Sequence, residues 1–277
     1  MNQSKLIADP DSLDLRDIIF EKVKHKKVIA LIRVKEEGIV SGVTEMIEAS
    51  KELGLEVLTC IREGAKVISG DVIAVLGGTP KQIAVAEDFL VGLIAKPSGI
   101  ATAARRAVEL SKGKVTVVSG AWKKMPVQIK ELIRKALMTG GVGIRITKQP
   151  FVYIDKNYVR IFGSVERALE CVRNFKDRVK VVQIRGETDK IENEAIKAAE
   201  GGADIIFVDT GDVGDLEKVA KILVDKGLRQ KVKLAFGGSI KLGDIPELCK
   251  RDVDILDIGR EIIDAPMLDM SFEAHHP

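Results

Sequence analysis

Histidine and cysteine are scarce in this sequence of 277 residues, and each shortage excludes a class of function. There are only three histidines: His25 lies in a charged run, and His275 and His276 lie among the last three residues. A Ser-His-Asp triad or a histidine-rich metal site is therefore not expected. The three cysteines are far apart and match neither a disulfide framework nor a CxxC zinc site. Chemistry is expected from Lys, Arg, Asp, Glu and backbone amides.

Aromatic residues are also few, and the sequence has neither a large excess of one sign of charge nor a long apolar run. Aromatic residues make up 4% of the chain, which leaves little for stacking on nucleic-acid bases. The 44 basic and 41 acidic residues nearly cancel, so the sequence predicts no strong field for a polyanion. No apolar stretch approaches the roughly 18 residues of a membrane-spanning helix. We therefore expect a cytoplasmic protein that binds neither nucleic acid nor a membrane.

Hydrophobic residues make up 45% of the chain. Their spacing predicts an α/β fold that divides near residue 97. The first part mixes short strands with helices, the last of them at 81–94. From residue 98 onward helices alternate with Val/Ile-rich strands, which predicts a parallel sheet, open or closed. Within this second part we expect a helix at 102–110, a strand at 142–147 and a hairpin-like piece at 151–162.

Two glycine-containing loops follow the last two predicted strands. Gly237, Gly238 and Ser239 end one strand, and Gly259 and Arg260 follow the next. Small residues at such positions let backbone amides approach an anion, and a barrel often binds phosphate after its last two strands. The loops therefore predict a site for a phosphate monoester. The alternative is that they are ordinary turns, in which glycine is common for steric reasons.

Asp209 lies at the carboxyl end of the strand predicted at 204–209. A carboxylate there suits ribose hydroxyls or a Mg²⁺ ion, because hard cations take oxygen ligands. The alternative is a helix N-cap, for which Asp212 or Asp215 is better placed.

Several segments together resemble the type II quinolinate phosphoribosyltransferases, or nicotinate-nucleotide pyrophosphorylases. In chain order they are Glu87 to Thr102 with its Ser98-Gly99-Ile100-Ala101-Thr102, Asn157-Tyr158, Gly163-Ser164-Val165, Gly202-Ala203-Asp204-Ile205-Ile206, Gly237-Gly238 and Leu268-Asp269-Met270-Ser271. The likeness runs from about His25 to Phe272, and the joint order is more specific than any single motif.

The resemblance implies a fold, a reaction and partners. It implies an amino-terminal α/β sandwich domain at 1–97, completed by the 266–277 tail, and an incomplete TIM-like α/β barrel at 98–265. Such enzymes pair as homodimers and join a pyridine dicarboxylate to phosphoribosyl pyrophosphate with Mg²⁺, losing one carboxylate as CO₂. The implied partners are thus phosphoribosyl pyrophosphate and a small aromatic base.

Most elements for the phosphate and the ribose match the family. Lys123 keeps a family lysine as a catalytic candidate, and Asp209 keeps the aspartate for the ribose and the metal. Arg145 keeps the arginine of a His-Arg pair. The 5′-phosphate glycines are retained as Gly237, Gly238 and Gly259, with Ser239 and Arg260 beside them.

Several cations that would face the dicarboxylate are replaced. Trp122 stands in place of one arginine, and Asp88 in place of an arginine lent to the neighbouring subunit. The Lys-Asp pair of the family appears in this chain in the reverse order, as Asp155-Lys156. The strand end that reads Glu-Val-Glu in the family resembles Gln183-Ile184-Arg185 in this chain. Trp122 offers a flat apolar surface and Asp88 suits a cation, although either residue can equally be structural.

These departures favour a phosphoribosyltransferase-like enzyme with an altered base pocket, because neither Trp nor Asp replaces the bidentate contact of Arg with a carboxylate. One alternative is ordinary quinolinate turnover in NAD synthesis, with Lys124, Lys156 or Arg185 as replacement cations. The other alternative is a non-catalytic nucleotide- or phosphate-binding regulatory protein.

Overall fold

The computed structural model describes residues 14–275, and its chain contacts divide it into two units. The first unit extends to Gly99 and includes the chain from Pro266 onward, and the second unit runs from Ile100 to Ala265. Residues 1–13 of the predicted first domain and residues 276–277 of the tail, with His276, lie outside the described residues. Among residues 14–275, no helix is both long and apolar enough to cross a membrane.

The described residues form twelve strands and ten α-helices. The strands are β1 (Val28–Val34), β2 (Gly38–Ile39), β3 (Glu56–Cys60), β4 (Lys66–Val67), β5 (Val72–Gly78), β6 (Thr116–Val118), β7 (Phe151–Ile154), β8 (Val179–Ile184), β9 (Ile205–Val208), β10 (Lys233–Gly237), β11 (Ile255–Asp257) and β12 (Met270–His275). The α-helices are α1 (Leu15–Ile19), α2 (Val43–Glu52), α3 (Pro80–Ser111), α4 (Lys130–Gly140), α5 (Lys156–Phe162), α6 (Val165–Glu170), α7 (Ile191–Glu200), α8 (Val213–Asp225), α9 (Ile245–Leu248) and α10 (Arg260–Ile263).

The first unit contains an antiparallel sheet in the order β12-β1-β5-β3 and a short ladder of β2 with β4. Strand β1 alternates partly exposed and buried residues, and its buried Ala30, Ile32 and Val34 enter the core of this unit. Such alternation is typical of a sheet with one covered face. The tail strand β12 pairs with β1, and the buried Leu268 just before it joins the same core.

The second unit contains a six-stranded sheet in the order β6-β11-β10-β9-β8-β7, and its strand pairs are parallel. All four residues of β9 are buried, as expected of a parallel strand covered on both faces. Helix N-caps are supplied by Ser164 for α6 and by Asp212 for α8. The α/β class expected from the sequence, with an amino-terminal sheet unit and a barrel-like parallel unit, is confirmed.

The helices expected at 81–94 and 102–110 are one continuous helix, α3, that contains Pro97. Proline and glycine usually end a helix, so the sequence favours a break at Pro97-Ser98-Gly99. Burial overrides that preference, because Ile94 and Ile100 on either side are fully buried. Gly99 is required there, since a Cβ would lie within 3 Å of the carbonyl group of Pro266.

Two other local predictions are wrong. Residues 142–147 form no strand; a single bridge joins Gly143 to Val118, and the chain then bends away. The expected hairpin at 151–162 is instead strand β7, paired in parallel with β8, followed by helix α5. Asp155 accounts for this, because its carboxylate accepts hydrogen bonds from the amides of Asn157 and Tyr158 and so starts the helix.

Candidate functional site at the sheet edge

The carboxyl ends of the parallel strands meet at one edge of the sheet in the second unit, and most predicted site residues follow them. Lys123 and Lys124 follow β6, Lys156 follows β7, Arg185 follows β8, Asp209 follows β9, Gly237 ends β10 with Gly238 and Ser239 after it, and Gly259 and Arg260 follow β11. Ligands of open and closed parallel α/β sheets bind at this edge, so the topology places the candidates where such a site is expected.

Asp209 stands at the centre of this edge and contacts the neighbouring strand end. Gln183 donates a short hydrogen bond from Nε2 to Asp209 Oδ2, and an Arg185 guanidinium nitrogen lies 3.9 Å from the same oxygen. Asp212 and not Asp209 caps helix α8, because its carboxylate accepts from Gly214 N at 2.8 Å. The local structural alternative for Asp209 is therefore excluded.

Burial raises the pKa of Asp209 above its ordinary value, and nearby groups oppose that rise. The strongest opposing influences are the charge of Arg185 and the hydrogen bond from Gln183, followed by Lys156 and Lys124. A carboxylate that is partly buried among cations interacts strongly with a ligand, because less water screens its charge.

Arg185 is held by a loop whose shape depends on a buried acid. Glu194 accepts hydrogen bonds from the amides of Arg185, Gly186 and Thr188 and from the Thr188 hydroxyl, at 2.8 to 3.1 Å. The Arg185 side chain also lies 3.5 Å from Glu187. Arg185 thus interacts with two protein carboxylates, those of Glu187 and Asp209.

A cavity of about 340 Å³ opens beside the end of β6. Three predicted site residues line it, namely Trp122, Lys123 and Arg145. Tyr153 and Asp257 line it as well, and the Lys123 ammonium lies 5.2 Å from the centre of the Tyr153 ring. A pocket with an aromatic wall, two cations and one acid suits a small, charged, planar molecule.

Trp122 is fixed in the cavity wall. Its indole N–H donates to the carbonyl oxygen of Ile144 at 3.0 Å, and the Arg134 guanidinium carbon lies 4.8 Å from the centre of its ring. Trp122 therefore has a structural role in addition to lining the cavity.

Asp257 was not among the residues that sequence reasoning selected. Its Oδ1 accepts a hydrogen bond from the amide of Gly120 at 3.0 Å, across 137 positions of the chain. Burial raises the pKa of Asp257, the Gly120 amide and the charges of Lys123 and Lys124 lower it, and Asp209 raises it. The only signal in the sequence was an acid at the end of a buried strand.

The glycine loops are closely packed. Gly238 has φ +108°, and a Cβ on it would lie 2.6 Å from the amide nitrogen of Gly211. The amide of Gly211 in turn donates to the carbonyl of Gly237 at 3.0 Å. Packing between neighbouring loops thus accounts for glycine at 238 whether or not a phosphate binds. Ser239 has φ +56°, a conformation that residues other than glycine adopt rarely.

Other predicted residues lie outside the cavity wall. Asp88 belongs to helix α3 in the first unit, where its carboxylate pairs with Arg16 at 2.8 Å. Arg260 is largely exposed and lies 3.7 Å from Asp264. The Lys156 amide donates to Gln183 Oε1 at 2.8 Å, so this residue borders the site around Asp209.

The donor set around Asp209 offers one carboxylate to a metal ion. No group of three or more His, Cys, Asp or Glu side chains among residues 14–275 could hold a metal by itself. Mg²⁺ on a substrate pyrophosphate keeps several waters and needs only one or two protein carboxylates. Asp209 fits that requirement, whereas Gln183 and Arg185 add no further carboxylate.

Two family models together match nearly all of the described chain. Residues 17–98 match the quinolinate phosphoribosyl transferase N-terminal domain, and residues 100–273 match the C-terminal domain of the same family.

Individual proteins give the same result. The probable nicotinate-nucleotide pyrophosphorylase (carboxylating) of Archaeoglobus fulgidus is 30% identical over 251 residues, which cover 90% of this chain and 95% of that protein. The human nicotinate-nucleotide pyrophosphorylase (carboxylating) is 28% identical over 88% of this chain and 81% of its own. The fold matches the structure of the nicotinate-nucleotide pyrophosphorylase from Francisella tularensis with a TM-score of 0.81, at 21% identity over 99% of this chain and 94% of that one.

Proposed function

The chain belongs to the quinolinate phosphoribosyltransferase family, and on that premise we propose that it transfers the phosphoribosyl group of phosphoribosyl pyrophosphate to the ring nitrogen of a pyridine carboxylate. The acceptor we propose first is quinolinate, with loss of one carboxylate as CO₂ and formation of a mononucleotide for NAD synthesis. The names of the archaeal and human relatives, both carboxylating nicotinate-nucleotide pyrophosphorylases, support this choice.

The observation that carries the proposal is the grouping of Asp209, Lys123 and the glycine loops at one edge of the sheet. A phosphoribosyl donor has three parts to hold: a 5′-phosphate, a ribose and a pyrophosphate. Backbone amides, a carboxylate and ammonium groups are the chemical partners of those three parts. The grouping supplies all of them within one unit of the chain.

Each residue then has a role that follows from its position. Asp209 accepts hydrogen bonds from the ribose hydroxyls, and the loops at Gly238 and Gly259 hold the 5′-phosphate through backbone N–H groups. Lys123 neutralises charge that develops on the departing pyrophosphate. Arg145 orients a carboxylate of the acceptor in the cavity. The chain accelerates transfer by positioning the reactants and by stabilising an oxocarbenium-like transition state, which needs no histidine.

Mg²⁺ is part of this proposal. Asp209 would hold it together with oxygens of the substrate, and bound there it would neutralise pyrophosphate charge. A homodimer and a cytoplasmic location remain predictions from the resemblance and from the composition.

A second candidate is the same transfer to an acceptor other than quinolinate. The observation that favours it is the fixed indole of Trp122, held by Ile144 and Arg134 where the resemblance expects an arginine. A charge-assisted contact between Arg and a carboxylate is worth about 1.5–3 kcal/mol, and an indole cannot replace it. The pocket then has one cation fewer for a dicarboxylate.

Quinolinate labelled at the carboxylate that is lost decides between the two candidates. With phosphoribosyl pyrophosphate and Mg²⁺, we expect release of labelled CO₂ in equal amount to pyrophosphate. Pyrophosphate release with other pyridine carboxylates, but not with quinolinate, favours the second candidate. Binding of a nucleoside monophosphate without any consumption of phosphoribosyl pyrophosphate would support the non-catalytic alternative and contradict the proposal.

A further inference from the structure

The cavity beside Trp122 contains an acid to which neither the resemblance nor the proposed roles assign a function. Asp257 is the one carboxylate among the residues that line it, at the carboxyl end of β11. The other charged side chains in the wall, Lys123 and Arg145, are both cations that suit an anionic ligand. The cavity wall therefore carries an acid as well as two cations.

The contacts of Asp257 leave it able to accept a hydrogen bond from a ligand. One oxygen, Oδ1, accepts from the amide of Gly120. Burial raises the pKa of Asp257 despite the Gly120 hydrogen bond and the charges of Lys123 and Lys124, and a hydrogen bond donated by a ligand would favour its ionised form. An ionised carboxylate has about four lone-pair positions and accepts hydrogen bonds without donating any, so its matching ligand group is a donor.

A second polar group in the same wall lacks a partner. The Ser119 side chain is completely buried, and its hydroxyl oxygen has no hydrogen-bond partner among the described residues. Ser119 lines the cavity next to Gly120, the residue that Asp257 contacts. A buried hydroxyl without a partner costs about 1–3 kcal/mol, and a polar ligand in the cavity would remove that cost.

We propose that Asp257 is a specificity-determining residue, whose carboxylate accepts a hydrogen bond from an N–H group of the acceptor. The pocket then takes an aromatic nitrogen heterocycle that carries one carboxylate, for Arg145, and an amino or ring N–H group, for Asp257. This inference rests on the proposed phosphoribosyl transfer and develops its second candidate, an acceptor other than quinolinate, by naming the chemical class of that acceptor. The Ser119 hydroxyl provides a second hydrogen-bonding group in the same cavity wall.

A second carboxylate on the acceptor is disfavoured in this geometry. Two like charges within a few ångströms oppose each other's ionisation, and a partly buried site screens that repulsion poorly. Quinolinate places its two carboxylates on adjacent ring carbons. When one of them contacts Arg145, the other has no second arginine, because Trp122 occupies the expected position.

The test compares two acceptors that differ at a single ring position. In 2-aminonicotinate an amino group replaces the 2-carboxylate of quinolinate, and the rest of the molecule is the same. We expect isothermal titration of the full chain to give at least about tenfold tighter binding of 2-aminonicotinate. Equal affinities, tighter binding of quinolinate, or no binding of 2-aminonicotinate would overturn the proposal.

The variant Asp257→Asn tests whether Asp257 selects the acceptor or only holds Gly120 in place. Asparagine keeps an oxygen for the Gly120 amide and presents an NH₂ group, a donor, to the cavity. We therefore expect the preference between the two acceptors to reverse. An unchanged preference in a variant that is folded and unfolds cooperatively shows that Asp257 only holds Gly120, and overturns the proposal. Asp177→Asn removes the same charge at an exposed position and is the matched control.

Failure of this inference and failure of the proposed function are distinguishable. Transfer is measured separately, as pyrophosphate released from phosphoribosyl pyrophosphate in the presence of each acceptor. Release with quinolinate but no selectivity at Asp257 contradicts only the specificity proposal. Selective binding of 2-aminonicotinate with no release for any acceptor contradicts only the transferase proposal.

Discussion

At the scale of single residues, Asp209 has the most demanding role in the proposed reaction. Replacing it with asparagine removes the charge that would face the ribose and the metal. We expect Asp209→Asn to lower kcat/KM for phosphoribosyl transfer by about a hundredfold or more. Steady-state kinetics at saturating acceptor measure the effect. Asp212→Asn is the control, because asparagine also caps helices and the variant should keep its activity. Similar losses in both variants would place the effect in helix α8 instead of the site.

The buried carboxylate of Asp257 leads to a prediction about how the stability of the protein depends on pH. Burial raises its pKa in the folded protein, so folding disfavours the ionised carboxylate. That cost is absent below the ordinary aspartate pKa of about 3.9, grows as the pH rises from there to the folded-state pKa, and is constant above it. We expect Asp257→Asn to unfold a few degrees higher than the wild type at neutral pH, with a gap that narrows toward about pH 4.5. Thermal unfolding of both proteins across that range measures it. A gap that is constant or reversed would contradict the electrostatic account.

Single residues also show which parts of the candidate site can be predicted from the sequence and which require the folded chain. The position of Asp209 at the carboxyl end of a strand was predictable, because this acid ends a Val/Ile-rich run. Asp257 has the same local pattern but was not selected. Its importance depends on Gly120 and on the cavity around it, which are far away in the sequence. Likewise, Trp122 is a recognisable departure in sequence, but its fixing by Ile144 and Arg134 requires the folded chain.

At the scale of elements, close packing of helix α4 on helix α3 depends on a glycine. A Cβ at Gly140 would lie 2.5 Å from the carbonyl oxygen of Ala101 and even closer to the Cβ of Ala104. We expect Gly140→Ala to lower the free energy of unfolding by about 1–3 kcal/mol, despite the better helix propensity of alanine. Chemical denaturation measures this change. Gly243→Ala is the control, because nothing lies within 4 Å of its Cβ position. Equal effects of the two substitutions would exclude packing as the cause.

Local sequence signals predicted most elements, and they failed where tertiary contacts decide. The alternation at 142–147 predicts a strand, yet only Gly143 bridges to β6, so most of that segment lacks a partner strand. The break expected at Pro97 does not occur, because the flanking residues of α3 are buried. Strand pairing and burial are properties of the whole chain, and a short window of sequence does not contain them.

At the scale of the whole molecule, the near-balance of charge conceals a local concentration of cations. Lysines and arginines follow at least four of the strand ends at one edge of the parallel sheet, although the net charge is only +3. An anionic donor such as phosphoribosyl pyrophosphate would meet these cations at the same edge as Asp209. The charge that matters for function is therefore set by topology and cannot be read from the composition.

The central claim is that this edge of the sheet transfers a phosphoribosyl group to a pyridine carboxylate. The most direct measurement is mass spectrometry of the products after the full chain is incubated with phosphoribosyl pyrophosphate, Mg²⁺ and quinolinate or another pyridine carboxylate. We predict a pyridine mononucleotide and an equal amount of pyrophosphate, both dependent on the acceptor and strongly reduced in Asp209→Asn. An unconsumed donor with every acceptor, from a folded protein, would contradict the account.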